Sequence, residues 1–104
     1  MSSNRSLNTT IHAPARLRIC GMLRHVDAID FAAIRESLGI TDSSLSKHLA
    51  VLTDAGYVTM KKESSVLRVD ARRIVWVKLT ESGRCAFDDY IETLQTIIAD
   101  DRLV

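Results

Sequence analysis

The chain has 104 residues, 46% of them hydrophobic and 26% charged, which describes one globular domain rather than a disordered tail. That length excludes a core plus a large enclosed substrate cavity, and a net charge of +1 does not by itself require a polyanionic partner. The apolar runs are far shorter than the ~20 residues that span a bilayer, and the opening MSSNRSLNTT lacks the apolar stretch of a secretion signal, so no membrane association, a cytoplasmic setting and two reduced cysteines, Cys20 and Cys85, are expected.

Residues 1–10 are polar and without pattern and are expected to form a flexible arm ahead of a domain spanning 11–104. Pro14 suits a first helical turn, where its missing N–H costs nothing. Leu17, Cys20 (or Ile19) and Leu23 follow at helical spacing, placing a first helix at about 14–25. Asp30 is a candidate N-cap. Phe31, Ile34 and Leu38 then recur at i, i+3 and i+7, and Gly39 stops a second helix at about 31–38. Residues 40–42 form a short turn in which Asp42 is expected to cap again. A third helix at about 43–55 turns Leu45, Leu49 and Leu52 inward and ends at Gly56. There the period changes. Residues 57–61 and 74–79 alternate at period two and are rich in β-branched and aromatic residues, which predicts two antiparallel strands around a loop at about 63–72. Thr80 caps a last helix at about 81–99, with Glu81 favourable to its dipole. Along this helix Phe87, Tyr90 (or Ile91), Leu94 and Ile97 (or Ile98) recur at helical spacing.

The expected fold is therefore mainly α with a small β-hairpin, in the order α-α-α-β-β-α. The second and third helices with their short connection read as a helix-turn-helix. A basic hairpin directly after that unit makes it a winged helix. The near-neutral total hides a segregation of charge. Residues 1–25 carry Arg5, Arg16, Arg18 and Arg24 and no acid; 57–80 carry six bases against two acids; 81–104 carry two against six. Such a distribution describes either a localised anion-binding surface or a solvated hairpin.

Four stretches carry a resemblance. They are residues 11–19 (IHAPARLRI), 38–49 (LGITDSSLSKHL), 52–58 (LTDAGYV) and 79–87 (LTESGRCAF). In this order they resemble the small single-domain winged-helix transcriptional regulators related to the MarR and ArsR families, over about residues 11–98. The family's wing often carries Gly and Pro near its tip, whereas residues 63–73 contain neither. The resemblance implies a sequence-specific double-stranded DNA-binding regulator, a homodimeric repressor on an inverted-repeat operator, associated with the nucleoid. The alternative is a winged helix used as a protein-interaction module without DNA binding.

The outer face of the third helix carries Ser43, Ser44, Ser46, Lys47 and Ala50. Small side chains let a helix approach base edges, serine donates or accepts, and Lys47 reaches a guanine or a phosphate. His48, beside the core positions, either reaches a phosphate or braces the helix. Thr41 lies at the helix's amino end, where free amides and the dipole favour a phosphate. In the wing the candidates are Lys61, Lys62, Arg68, Arg72 and Arg73, which can follow the backbone or enter the minor groove. Trp76 reads as a core or interface aromatic. Arg16 and Arg18 read as solvated or ion-paired, with phosphate contact as the other option. The apolar side of the last helix is broad for so small a domain; either all of it packs within the protomer, or part covers the core and the remainder meets a second copy. With Leu17, its residues Phe87, Tyr90, Ile91, Leu94, Ile97 and Ile98 are the candidate homodimer surface, as the resembling regulators pair. No catalytic constellation stands out, so no enzymatic activity and no cofactor are expected. His12, His25, His48, Cys20 and Cys85 lack zinc-ligand spacing, so no metal is expected. The sequence names no effector. Cys20 reads as a buried core thiol, and Cys85 as either inert or oxidant-sensing.

Overall fold

The last three helices begin where side chains able to cap them stand. In the computed structural model, which describes residues 7–64 and 73–100, the Asp30 carboxylate accepts from the Ala32 amide at 3.1 Å. The Thr41 hydroxyl accepts from Ser44 at 3.0 Å, and the Thr80 hydroxyl from Gly83 at 2.9 Å. Each cap is worth roughly 0.5–2 kcal/mol. The elements run α1 (Pro14–Arg24), β1 (Ile29–Asp30), α2 (Phe31–Leu38), α3 (Asp42–Asp54), β2 (Val58–Ser64), β3 (Arg73–Leu79) and α4 (Glu81–Ala99). The second and fourth helices have the bounds expected from the sequence.

One expectation is corrected and two are extended. First, Asp42 is not the cap of α3. Thr41 has the extended backbone an N-cap requires (φ −82°, ψ 162°), so the helix starts one residue early. The Asp42 carboxylate instead accepts from Arg35 Nη1 at 2.7 Å, which clips α2 to α3 across the turn. Second, the hairpin is part of a three-stranded antiparallel sheet in the order β1-β3-β2, so the element order is α-β-α-α-β-β-α. In it Ile29 pairs with Val77 and Asp30 with Trp76. A two-residue strand has too little sequence to show a period; its partner strand creates it. Third, the end of the arm is held: ahead of the buried Ile11, the expected start of the domain, Leu7 packs on the core, and the Asn8 side-chain oxygen accepts from the amides of Thr10 and Ile11 at 2.9 and 3.1 Å.

The core joins all these elements. Ile11, Ile19, Cys20 and Leu23 meet Ile34 of α2, the Leu45, Leu49 and Leu52 stripe of α3, Val58, Val77 and Leu79 of the sheet, and Tyr90 of α4. Burial pushes the Cys20 thiol up to about 11, against a smaller opposing effect of Arg16. The turn between α2 and α3 is closed by Gly39 in the left-handed region (φ +66°), which glycine adopts freely. Its amide is shared between the Arg35 and Glu36 carbonyls at 2.9 and 3.2 Å.

Candidate nucleic-acid interface

Burial of Leu45, Leu49 and Leu52 dictates which face α3 shows. A helix repeats every 3.6 residues, so the opposite side carries Ser43, Ser46, Lys47 and Ala50, all exposed, with Ser44 half-buried at its margin. This is a narrow ridge of short polar groups around one cation, a shape and chemistry that fit a major groove. Thr41 is exposed at the amino end of the ridge, with its hydroxyl committed to the cap. Arg35 and Asp42 pair beside it, which neutralises the acid nearest the dipole's positive end. Asp42 holds the Arg35 guanidinium above its usual range by accepting its hydrogen bond.

His48 lies on the flank of α3, half-buried, and faces α1. Its Nδ1 is 3.2 Å from Nη1 of Arg16, and Nε of Arg16 donates to the Thr10 carbonyl at 2.6 Å. Arg16 is thus tied inside the domain. Arg18 is exposed and donates to the Ser37 carbonyl at 3.3 Å. The sequence carries no signal for the Arg16–His48 pair, since its members stand 32 positions apart on different helices.

The wing is long. In its β2–β3 ladder Lys61 pairs with Trp76, Lys62 with Val75, and Ser64 with Arg73. Successive strand residues point to opposite faces, so the register divides the basic residues. Lys62 shares one face with Val75 and the core residue Val77, whereas Lys61 shares the other with Trp76. The described wing candidates Lys61, Lys62 and Arg73 are exposed. Arg68 and Arg72 lie outside the described residues, as does the wing tip. The Trp76 indole donates to Glu63 at 3.1 Å and is half-buried, as an aromatic covering the outer face of the sheet.

The surface expected to pair two copies divides differently. Tyr90 is corrected: it is 3% exposed and belongs to the protomer's own core, with its hydroxyl 2.7 Å from His12 Nδ1. Its phenol turns inward because the segment before α1 covers it. Leu17 and Tyr90 line a small cleft with Pro14. Phe87, Ile91 and Leu94 are half-buried, and Ile97 and Ile98 are 38% and 73% exposed. Phe87 and Ile91 floor an open groove of about 690 Å³ between α1 and α4. At its edge the Arg24 guanidinium grips Asp88 at 2.7 and 3.0 Å, which lowers the Asp88 carboxyl and raises Arg24. Among the described residues no three metal-ligating side chains converge, and no helix is long and apolar enough to cross a membrane.

This architecture has relatives. A family model described as a winged helix DNA-binding domain matches residues 15–98. The uncharacterized protein MJ0432 of Methanocaldococcus jannaschii is 37% identical over 81 residues, covering 77% of this chain and 84% of that protein. Among solved structures, a transcriptional regulator homologue of Pyrococcus horikoshii superimposes with a TM-score of 0.76 at 24% identity, covering 88% of this chain and 86% of the other. The transcriptional regulator HlyU of Vibrio vulnificus does so with a TM-score of 0.61 at 24% identity, covering 88% and 82%. At these identities the two structures speak for the fold.

Proposed function

The chain belongs to the family of winged helix DNA-binding domains; from that premise we propose that it is a DNA-binding transcriptional regulator, and specifically a homodimeric repressor. The observation that carries the reading is the exposed Ser43, Ser46, Lys47, Ala50 ridge of α3, backed by a fully buried leucine stripe and followed directly by a basic hairpin. Each protomer lays α3 in a major groove, with Thr41 and Ser44 at its margin and His48 on its flank. Of the wing candidates Lys61, Lys62, Arg68, Arg72 and Arg73, those on the face turned to the DNA follow the neighbouring backbone. Most of the binding energy then comes from phosphate contacts, and the base contacts of α3 supply the specificity.

Two copies pair through α4 and part of α1. The reading is supported by Ile97 and Ile98, which α4 leaves exposed, and by the half-buried Leu17, Phe87, Ile91 and Leu94 beside them. Leaving a contiguous apolar strip in water is costly and marks an association surface. Two-fold pairing implies an inverted-repeat operator with half-sites separated by about one helical turn, ~34 Å, or a multiple of it. Repression follows from occupying a promoter, and the cytoplasm is the compartment where such DNA lies.

Electrophoretic mobility shift on genomic fragments near physiological salt, with sedimentation equilibrium of the free protein, tests the proposal. Retarded fragments sharing an inverted repeat, and a dimer in solution, are expected. A monomer that retards no fragment and co-purifies with a protein partner would establish the protein-interaction module instead.

A further inference from the structure

Arg16 on α1 and His48 on α3 meet with Nη1 3.2 Å from Nδ1. A guanidinium offers N–H donors and no acceptor. The contact is a hydrogen bond only when Nδ1 accepts, and that leaves the ring's single proton on Nε2. The arginine is itself held in place. Its Nε donates to the Thr10 carbonyl at 2.6 Å, and Thr10 stands in the turn that the Asn8 side chain closes. The Asn8 amide in turn donates to the Tyr57 hydroxyl at 2.8 Å, at the base of the wing. Arg16 is therefore aimed at His48 by a hydrogen-bonded segment, and its guanidinium is committed within the protein at two points.

We propose that Arg16 is a positioning residue for DNA recognition: it holds His48 as the Nε2–H tautomer, so that α3 presents a neutral hydrogen-bond donor to an acceptor atom of DNA. The acceptors of that class are phosphate oxygens, guanine O6 and N7, adenine N7 and thymine O4. The amino groups of cytosine and adenine are donors and are excluded. The proposal rests on the reading of α3 as the DNA-contacting helix and adds which proton it offers and what sets it.

Nitrogen-15 NMR of the histidine rings reads the tautomer in the free protein, at a pH where the rings are neutral. A pyrrole-type Nε2 and a pyridine-type Nδ1 are expected for His48, with the two shifts converging in Arg16→Met as the tautomers mix. An unchanged His48 spectrum in Arg16→Met overturns the proposal. The second arm uses a duplex enriched from random sequence by the native protein. Arg16→Met is expected to weaken binding about three- to tenfold, the scale of one hydrogen bond. The slope of log affinity against log salt should not change, because Arg16 neutralises no phosphate. In a His48→Gln background the side-chain amide supplies an N–H at the same reach without help from Arg16, and there Arg16→Met is expected to change affinity less than twofold. A slope reduced by about 0.9, or an equal loss in the Gln background, shows that Arg16 touches DNA itself or only supports the fold, and overturns the proposal. Thermal melting of each variant separates unfolding from a binding defect, and Arg16→Lys provides a second, milder test of the same loss. A loss confined to the enriched duplex identifies a base acceptor, and an equal loss on unselected duplex identifies a phosphate; both support the proposal. If the native protein enriches no duplex, the reading of α3 fails and takes the recognition role with it, whereas the ring spectrum still decides the tautomer.

Discussion

The backbone of α4 at Gly83 rests directly on the carbonyl oxygen of Tyr57: a β-carbon at Gly83 would overlap that oxygen and stand 2.9 Å from Leu79 Cδ1. The same carbonyl accepts from the Thr80 amide at 2.9 Å, and the Thr80 hydroxyl donates to the Gly56 carbonyl at 2.7 Å. The junction between the end of α3, the start of the wing and the start of α4 is thus made of backbone, which cannot move aside as a side chain can. Gly83→Ala is expected to destabilise the fold by about 1–3 kcal/mol through overpacking. Gly21→Ala, in the middle of α1 with its nearest neighbour Phe87 at 3.8 Å, is expected to stabilise it by about 0.5–1 kcal/mol, the helical advantage of alanine. Urea unfolding of the two variants checks the opposite signs.

Lys61 and Lys62 are adjacent in sequence but point to opposite faces of the wing, by their pairing with Trp76 and Val75. One face of a hairpin meets the DNA backbone, so the two lysines cannot contribute alike. Of Lys61→Ala and Lys62→Ala, one is expected to lower the salt slope of DNA binding by about 0.9 and the other to leave it unchanged. Fluorescence anisotropy across a salt series measures this, and equal reductions from both would contradict the register.

Ile98 is 73% exposed on α4, so its side chain contributes little to the protomer. Ile98→Asp is expected to convert a dimer into a monomer in sedimentation equilibrium while leaving the urea midpoint of the dissociated protein near the native value. A variant that remains dimeric would place the partner elsewhere.

The two thiols differ in access. Cys20 is fully buried with its thiol raised to about 11, and Cys85 is exposed. A raised thiol ionises only as pH climbs toward that value, so at pH 8 about one Cys20 in a thousand would be thiolate even before access is counted. Iodoacetamide at pH 8 is expected to add once and rapidly, at Cys85, with Cys20 modified only in denaturant. Mass spectrometry of the intact protein and its peptides distinguishes the sites.

Features governed by local chemistry were legible from residues alone. Leu45, Leu49 and Leu52 mark the buried side of α3, Gly39 its preceding turn, and Thr80 the start of α4, because capping and periodicity act within a few residues. Residue type alone does not choose the cap of α3, because Thr41 and Asp42 are both good caps. The choice fell to the backbone angles and to Arg35, which engages Asp42. What the sequence hid is what long-range pairing creates. The two-residue β1 exists only against β3, Tyr90 turns inward only because His12 and the segment before α1 cover it, and Arg16 meets His48 only after α1 and α3 pack.

The covered position of Ile11 bears on where this domain can be cut. The match to the family model begins at residue 15, yet Ile11 is wholly enclosed, Leu7 packs against the same core, and Asn8 bonds the Tyr57 hydroxyl. A fragment trimmed to the family boundary would lose the burial of Ile11, about 1.5–3 kcal/mol, and uncover the Tyr90 phenol. The excisable unit therefore starts ahead of its first helix, and a fusion partner or label attached at residue 15 would sit where the protein keeps its own plug.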